Sequence, residues 1–395
     1  MAGNNGRSRT VELFAGIGGF RLAADRVGLA TVWANDICPR ACEVYRSQFG
    51  AGVIREGDIR ELLDEVPGHD LLTAGFPCQP FSSAGKKRGI RDPRGTLFHD
   101  VVQLLRIHEP AYFILENVKR LLHMERGEHF ATILASLAQL DYLIEWRLLN
   151  AQHFGLPQNR QRVFVVGVRA NRAHRASGRG LLPVRLAAPE DLAHLGSDDL
   201  ALIGSPEEWR DLGRHAARFP NWGLAQAGRF CAAELPDFSW RCPPRLLRQV
   251  LQDHVPQHFD FTDSTRARIG GSVAVNRFVE GVEILANQAG GARMGYTVFG
   301  INGVAPTLTS TASRHYERYK IGDRFRRLTN VEYARIQGFP DEHCDAVSVH
   351  RQYALFGGAV PPPMAEWVMR RLEAPRFSQR VVPRRAAQQE LFANA

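Results

Sequence analysis

One cysteine stands where a nucleophile could work. Cys78 belongs to Gly75-Phe-Pro-Cys-Gln-Pro-Phe-Ser82, just after the apolar run Asp70–Thr73. Pro77 and Pro80 flank it and remove backbone freedom. A thiolate is the reactive form of cysteine, and positive neighbours favour it over the thiol. Lys86, Lys87, Arg88, Arg91 and Arg94 follow among glycines, a composition suited to grasping phosphate. The bland alternative is an inert core cysteine, the commoner fate of a free thiol. A second constellation could hold an adenosine. Phe14-Ala-Gly16-Ile-Gly18-Gly19 follows a short apolar run, and such glycines let backbone approach a ligand ahead of a helix. Asp36 ends the next run, where a carboxylate can accept from both ribose hydroxyls. Asp58, in Gly57-Asp-Ile59, could meet an adenine amino group. Ordinary turn chemistry would also explain both aspartates. NAD and S-adenosylmethionine each carry adenosine, so this edge alone does not choose between them. Read alone, Glu116 is a surface acid, and Arg160 and Arg162 are solvated residues ahead of a strand.

These residues need elements to bring them together. Val11–Phe14 reads as a strand broken by the glycine turn, and Phe20–Val27 as a helix stopped by Gly28. Strands are expected at Thr31–Ala34, Asp70–Thr73, Ala111–Leu115 and Val163–Gly167. Helices are expected at Ala41–Phe49, Phe98–Ile107 and Phe130–Gln139. Alternation of this kind predicts an α/β fold: an open, mostly parallel, Rossmann-like sheet covered on both faces. Past Gly167 a basic connector leads into weak periodicity with Gly270-Gly271 and Gly290-Gly291. Regular patterns return in a capped helix at Arg327–Ile336 and a proline-started helix at Val360–Leu372. The expected division is a catalytic and cofactor-binding part over 11–180, a smaller irregular recognition domain over 181–320, a return over 321–375 and a loose tail over 376–395.

The segments together resemble the DNA (cytosine-5)-methyltransferase family. Phe14-Ala-Gly-Ile-Gly-Gly-Phe20 is similar to its first motif and Gly75–Ser82 to its catalytic motif. Glu116-Asn-Val118 resembles its ENV motif, and Gln158-Asn-Arg-Gln-Arg162 its QxRxR motif. Ala305–Ser310 and Arg335–Pro340 resemble late motifs. The resemblance implies a methyltransferase fold and S-adenosylmethionine as donor, with no metal. It implies catalytic roles for Cys78, Glu116, Arg160 and Arg162. Cys78 would add to C6 of cytosine, Glu116 would protonate N3, and Arg162, with Arg160 less directly, would meet O2 and nearby phosphate. The cofactor residues implied are Phe14, Gly16, Gly18, Gly19, Asp36, Ile37, Asp58, Ile59, Pro77 and Gly358. A target base buried in a duplex must first be flipped out. The basic loop of residues 86–94 and Arg314, in Arg314-His-Tyr-Glu-Arg-Tyr-Lys320, are the expected DNA contacts. One departure stands out: the family's late Gly-Asn is Gly357-Gly358 here. Drift, a pocket for a bulkier donor such as carboxy-S-adenosylmethionine, and weakened cofactor binding all fit it.

Composition agrees with a nucleic-acid partner without specifying one. The chain has 395 residues, 50 Lys+Arg against 41 Asp+Glu, and a net charge of +9. Only four of the basic residues are lysines, so arginine, the better bidentate phosphate ligand, predominates. The 44% hydrophobic content supports a real core and excludes a chain disordered throughout. No run approaches the ~18 apolar residues of a membrane span, and the polar start is no secretory signal, so a cytoplasmic protein is expected. Six cysteines without a CxxC pair suggest neither a disulfide framework nor a zinc site. The preferred partner is double-stranded DNA, with a cognate restriction endonuclease as a functional partner and a monomeric state. Alternatives are a tRNA cytosine-5 methyltransferase, a non-catalytic DNA-binding module and, for the glycine edge, a nicotinamide oxidoreductase.

Overall fold

The computed structural model describes residues 8–77, 97–169, 186–187, 219–226, 229–237, 245–288, 294–310 and 317–372. Its main sheet grows outward from β1 (Arg9–Leu13). The other strands are β2 (Ala30–Asp36), β3 (Ile54–Glu56), β4 (Leu71–Ala74), β5 (Tyr112–Val118), β6 (Tyr142–Asn150), β7 (Gln161–Arg169), β8 (Trp222–Gln226) and β9 (Arg229–Ala233). Among the described residues the order is β3-β2-β1-β4-β5-β7-β6-β8-β9. The segment β3 to β5 is parallel throughout. From β7 onward every neighbouring pair is antiparallel.

Alternate residues of the central strands enter two different cores. Phe113, Leu115, Val163 and Val165 face one side. Tyr112, Ile114, Phe164, Val166 and Val168 face the other. On the first side α4 (Leu97–His108) contributes Val101 and Leu105, and α5 (Glu128–Ala138) contributes Phe130 and Ile133. On the second, α1 (Gly19–Arg26) contributes Phe20 and Ala23, and the last described helix contributes Met364 and Val368. Strands buried on both faces read as near-continuous apolar runs, which is why the sequence shows them plainly. The helix α2 (Pro39–Phe49) follows β2, and a single turn, α3 (Ile59–Leu62), follows β3.

The later chain builds a second sheet from β10 (Val273–Val279), β11 (Val282–Asn287), β12 (Thr297–Phe299), β13 (Arg318–Ile321) and β14 (Arg324–Arg326), in that order. The helix α6 (Asp263–Gly270) precedes it. Under this sheet lie α7 (Asn330–Gln337) and α8 (Val349–Gly358), joined to Val282, Phe299 and Tyr319 through Tyr333, Ile336 and Phe356. Thr329 caps α7 reciprocally: its Oγ1 accepts from Glu332 N at 3.1 Å and its own N donates to Glu332 Oε2 at 2.8 Å. Finally α9 (Pro362–Met369) starts on prolines, as expected. Within the span 181–320, the described strands divide between the two sheets. β8 and β9 extend the main sheet, because β6 offers Trp146 and Glu145 as register partners for Gly223 and Leu224. No helix among the described residues is long and apolar enough to cross a membrane.

Candidate active site

A cavity of about 1060 Å³ opens at the carboxyl ends of the parallel strands, where such sheets place ligands. Phe14 and Gly16 line it after β1, Asp36 and Ile37 at β2, Gly75 to Pro77 after β4, and Glu116 to Val118 on β5. The opposite wall is Thr307 to Ser310 and Gly357 to Ala359.

Strand register brings the charged pair together. Glu116 lies across from Phe164, and Arg162, two residues along β7, shares its face. Arg162 Nε donates to Glu116 Oε1 at 2.9 Å, with both side chains about nine-tenths buried. Burial pushes the Glu116 carboxyl above the usual range, and the Arg162 and Arg160 guanidiniums oppose part of that rise. A carboxyl held up in this way can keep a proton closer to neutrality than an exposed one. The neighbouring Asn117 has a separate task. Its Nδ2 donates to Phe76 O at 2.9 Å, and its Oδ1 accepts from Val118 N at 2.8 Å. The amide therefore clamps the end of β5 to the segment that runs through Pro77 toward Cys78. Nothing in the sequence beyond its place in Glu116-Asn-Val118 marks Asn117 for this task.

At the glycine edge, Asp36 organises two loops at once. Its Oδ2 accepts from Gly16 N at 2.7 Å and its Oδ1 from Cys38 N at 2.8 Å. Each oxygen keeps a further lone pair, so ribose hydroxyls can still be bound. Gly16 has a φ of 54°, a left-handed conformation suited to glycine. Ile37 is 66% exposed on the cavity wall, an apolar face available to a planar base. Ile59 lines the same cavity but is buried. Asp58 accepts from Arg60 N at 3.1 Å and pairs with the Arg60 side chain, which holds its carboxyl below the usual range. An adenosine-bearing cofactor fits this edge: one carboxylate with spare acceptors, a bare glycine backbone and an exposed aliphatic face.

Three expected site residues have other work. Gly18 and Gly19 do not line the cavity. A Cβ on Gly19 would lie 2.1 Å from Val360 O, and one on Gly18 would lie 2.4 Å from the Phe49 ring. Both glycines permit close packing beneath the loop. Arg160 also points away from the cavity. Its Nη1 donates to Leu308 O at 2.9 Å, and its Nη2 donates to Gly357 O and Ala359 O, each at 3.0 Å. With both terminal nitrogens on these carbonyls, Arg160 is a buried staple of the rear wall.

Gln158 strengthens that wall. Its Oε1 accepts from Leu308 N at 3.0 Å and its Nε2 donates to Gln337 Oε1 at 2.9 Å. His343, which the sequence did not single out, donates from Nε2 to Ile17 O at 2.7 Å and fixes the glycine loop from below. A Cβ on Gly357 would lie 2.1 Å from Thr309 O, so no side chain is tolerated there. At Gly358 an added Cβ would meet only Ser310 Cβ, at 3.5 Å. The missing asparagine is therefore not excluded by crowding. Cys78, Lys86, Lys87, Arg88, Arg91, Arg94 and Arg314 lie outside the described residues. Among the described residues no group of His, Cys, Asp and Glu is arranged to hold a metal ion.

Comparison with known proteins gives a consistent answer. Residues 8–192 and 254–374 match the family model described as C-5 cytosine-specific DNA methylase. The Type II methyltransferase M.NlaX of Neisseria lactamica is 29% identical over 379 residues, covering 93% of this chain and 96% of that protein. M.NgoBI of Neisseria gonorrhoeae, also a Type II methyltransferase, is 43% identical over 164 residues, covering 41% of this chain and 51% of its own length. With M.NgoBI and several further relatives the chain spans about half of the relative's length or less. Among solved structures, the S. pombe Dnmt2 methyltransferase superposes with a TM-score of 0.59 at 17% identity, covering 93% of this chain and 99% of that one, which establishes a shared fold.

Proposed function

Because the chain belongs to the C-5 cytosine-specific DNA methylase family, we propose that it transfers a methyl group from S-adenosylmethionine to C5 of a cytosine flipped out of duplex DNA. The observation that carries this reading is the buried Glu116–Arg162 pair, at 2.9 Å, beside the Asn117-clamped approach to Cys78. When bound, S-adenosylmethionine supplies an electrophilic methyl on a sulfonium. Everything else is the task of the chain's own residues. The Cys78 thiolate forms a bond to C6, and the ring's electron pair becomes available at C5. Glu116, protonated in its buried setting, donates to N3 as that charge develops, and Arg162 meets O2. After transfer the C5 proton leaves, its electron pair reforms the C5–C6 double bond, Cys78 departs as thiolate and N3 returns its proton to Glu116. Water can take that proton, since the sequence assigns no residue to it.

Asp36, Gly16 and Ile37 would hold the adenosine end of the donor, and Gly358 would border its methionine end. Lys86, Lys87, Arg88, Arg91, Arg94 and Arg314 would hold DNA phosphates. No metal is required by this scheme. A cytoplasmic, monomeric protein paired functionally with a restriction endonuclease completes the reading. One observation bears on a second donor: Gly358 lines the cavity with no side chain where the family's late motif carries asparagine.

The test is transfer from labelled S-adenosylmethionine to duplex DNA, with tRNA and carboxy-S-adenosylmethionine in parallel. 5-Methylcytosine in duplex DNA is the expected product. Label confined to tRNA, or no label in any nucleic acid, would overturn the assignment. A carboxymethylated cytosine would favour the second donor.

A further inference from the structure

The hairpin of β10 and β11 carries an unusual residue at its turn. Val279 pairs with Val282, so the loop is only Glu280-Gly281. Both residues have positive φ, 48° and 83°. Two-residue hairpin turns of this hand favour Asn, Asp or Gly at the first position. A glutamate there holds its backbone in a left-handed conformation that L-residues disfavour. Strain of this kind points to a task for the side chain. That side chain reaches the segment just ahead of β7: Glu280 Oε2 accepts from Asn159 Nδ2 at 2.8 Å. Asn159 immediately precedes Arg160, and its Oδ1 accepts from Asn150 Nδ2 at 2.8 Å. Asn150 Oδ1 in turn accepts from Arg160 N at 3.0 Å.

A second set of contacts joins the same two regions. Gly281 O accepts from Val304 N at 2.8 Å, and a Cβ on Gly303 would lie 2.2 Å from that carbonyl. Ala305 then donates to Pro157 O at 2.7 Å and accepts from Asn159 N at 2.8 Å. Thr307, two residues on, lines the cavity and donates to Asn159 O at 2.5 Å. The turn is thus docked on the strap that forms the rear wall. The strand leading into the turn has exposed side chains along its length. Among the described residues β10 is an edge strand, with Val273 71% exposed and Phe278 59% exposed, and Asn276 at a φ of 45° marks a register shift beside Arg277.

We propose that Glu280 is a positioning residue that couples the exposed β10 edge to the methyl-transfer cavity through Asn159. The inference rests on the duplex-DNA reading above. Removal of the carboxyl leaves the Asn159 turn, and the wall it helps hold, less well fixed when DNA engages the hairpin.

The decisive variant is Glu280→Gly, which relieves the left-handed backbone while removing the acceptor. Its Tm should stay within about 1 °C of wild type or rise, because glycine suits the turn. Its kcat/KM for duplex DNA should fall about tenfold, the size of one charge-assisted hydrogen bond, with KM for S-adenosylmethionine unchanged. Glu280→Gln keeps an acceptor and should recover most of the loss. Asn159→Ala also removes the Asn150 contact, so alone it should cost at least as much as Glu280→Gly, and adding Glu280→Gly to it should cost nothing further. Wild-type kinetics in Glu280→Gly would overturn the proposal. A parallel fall of Tm and activity would also overturn it, by making Glu280 a merely structural turn residue. Wild-type transfer in the same assay separates these outcomes from failure of the functional reading itself, which would leave wild type inactive as well.

Discussion

The Glu116 carboxyl and the Arg162 guanidinium alter each other's chemistry. Burial raises the carboxyl's affinity for a proton, and the guanidinium limits the rise. If protonated Glu116 is the donor to N3, activity must fall as pH climbs through its raised pKa. Glu116→Gln cannot donate an acidic proton. It should lower kcat on the order of a hundredfold or more and flatten that alkaline limb, as read from kcat against pH. This pair was legible in the sequence only through motif resemblance, because a lone Glu after a strand is ordinarily a surface acid. Arg160 shows where that reading stopped. Sequence places it two residues before Arg162, just ahead of a strand, yet its guanidinium turns to Leu308, Gly357 and Ala359 carbonyls. Those acceptors come from chain about 150 and 200 residues away, which no local pattern reveals. Arg160→Met should therefore leave buried carbonyls unpaired and cost about 3 kcal/mol in denaturant unfolding.

At the scale of elements, β1 both aims the glycine loop and carries a buried acid beneath it. Glu12 accepts from Tyr45 Oη at 3.1 Å, and burial pushes its carboxyl up from 4.5 to about 8. In the unfolded chain that group ionises near its ordinary value, whereas the folded chain keeps the proton until about pH 8. Between those limits the folded state binds more protons, so stability falls as pH rises. Glu12→Gln should remove this part of the decline, seen as a smaller loss of Tm from pH 5 to pH 8 than in wild type. The parallel strands were legible because two buried faces make them apolar throughout. β6 was not, because Glu145 and Arg147 interrupt its apolar run. Both are buried and partnered from distant chain: Glu145 Oε1 accepts from Leu186 N and Trp222 Nε1, each at 2.9 Å, and Arg147 Nη2 donates to Pro236 O at 2.7 Å. α8 was missed for a different reason, since it ends on Gly357-Gly358, which read as a loop, although Gly357 serves close approach to Thr309.

For the whole molecule, a main sheet presents its parallel strand ends to a wall supplied by the late chain, and the cavity lies between them. A net charge of +9, carried mostly by arginine, suits the phosphate contacts that duplex DNA would require. Binding to duplex DNA should weaken steeply as salt rises, with log Kd linear in log salt; a flat response would contradict a phosphate-bound complex. The central claim is that Cys78 adds covalently to a flipped cytosine. The direct measurement is trapping on a duplex carrying 5-fluorocytosine, whose C5 fluorine cannot leave as the proton does. With S-adenosylmethionine present, wild type should form a denaturation-resistant protein–DNA adduct and Cys78→Ser should form none. No adduct from wild type that is otherwise active in methyl transfer, or an undiminished adduct from Cys78→Ser, would contradict the account.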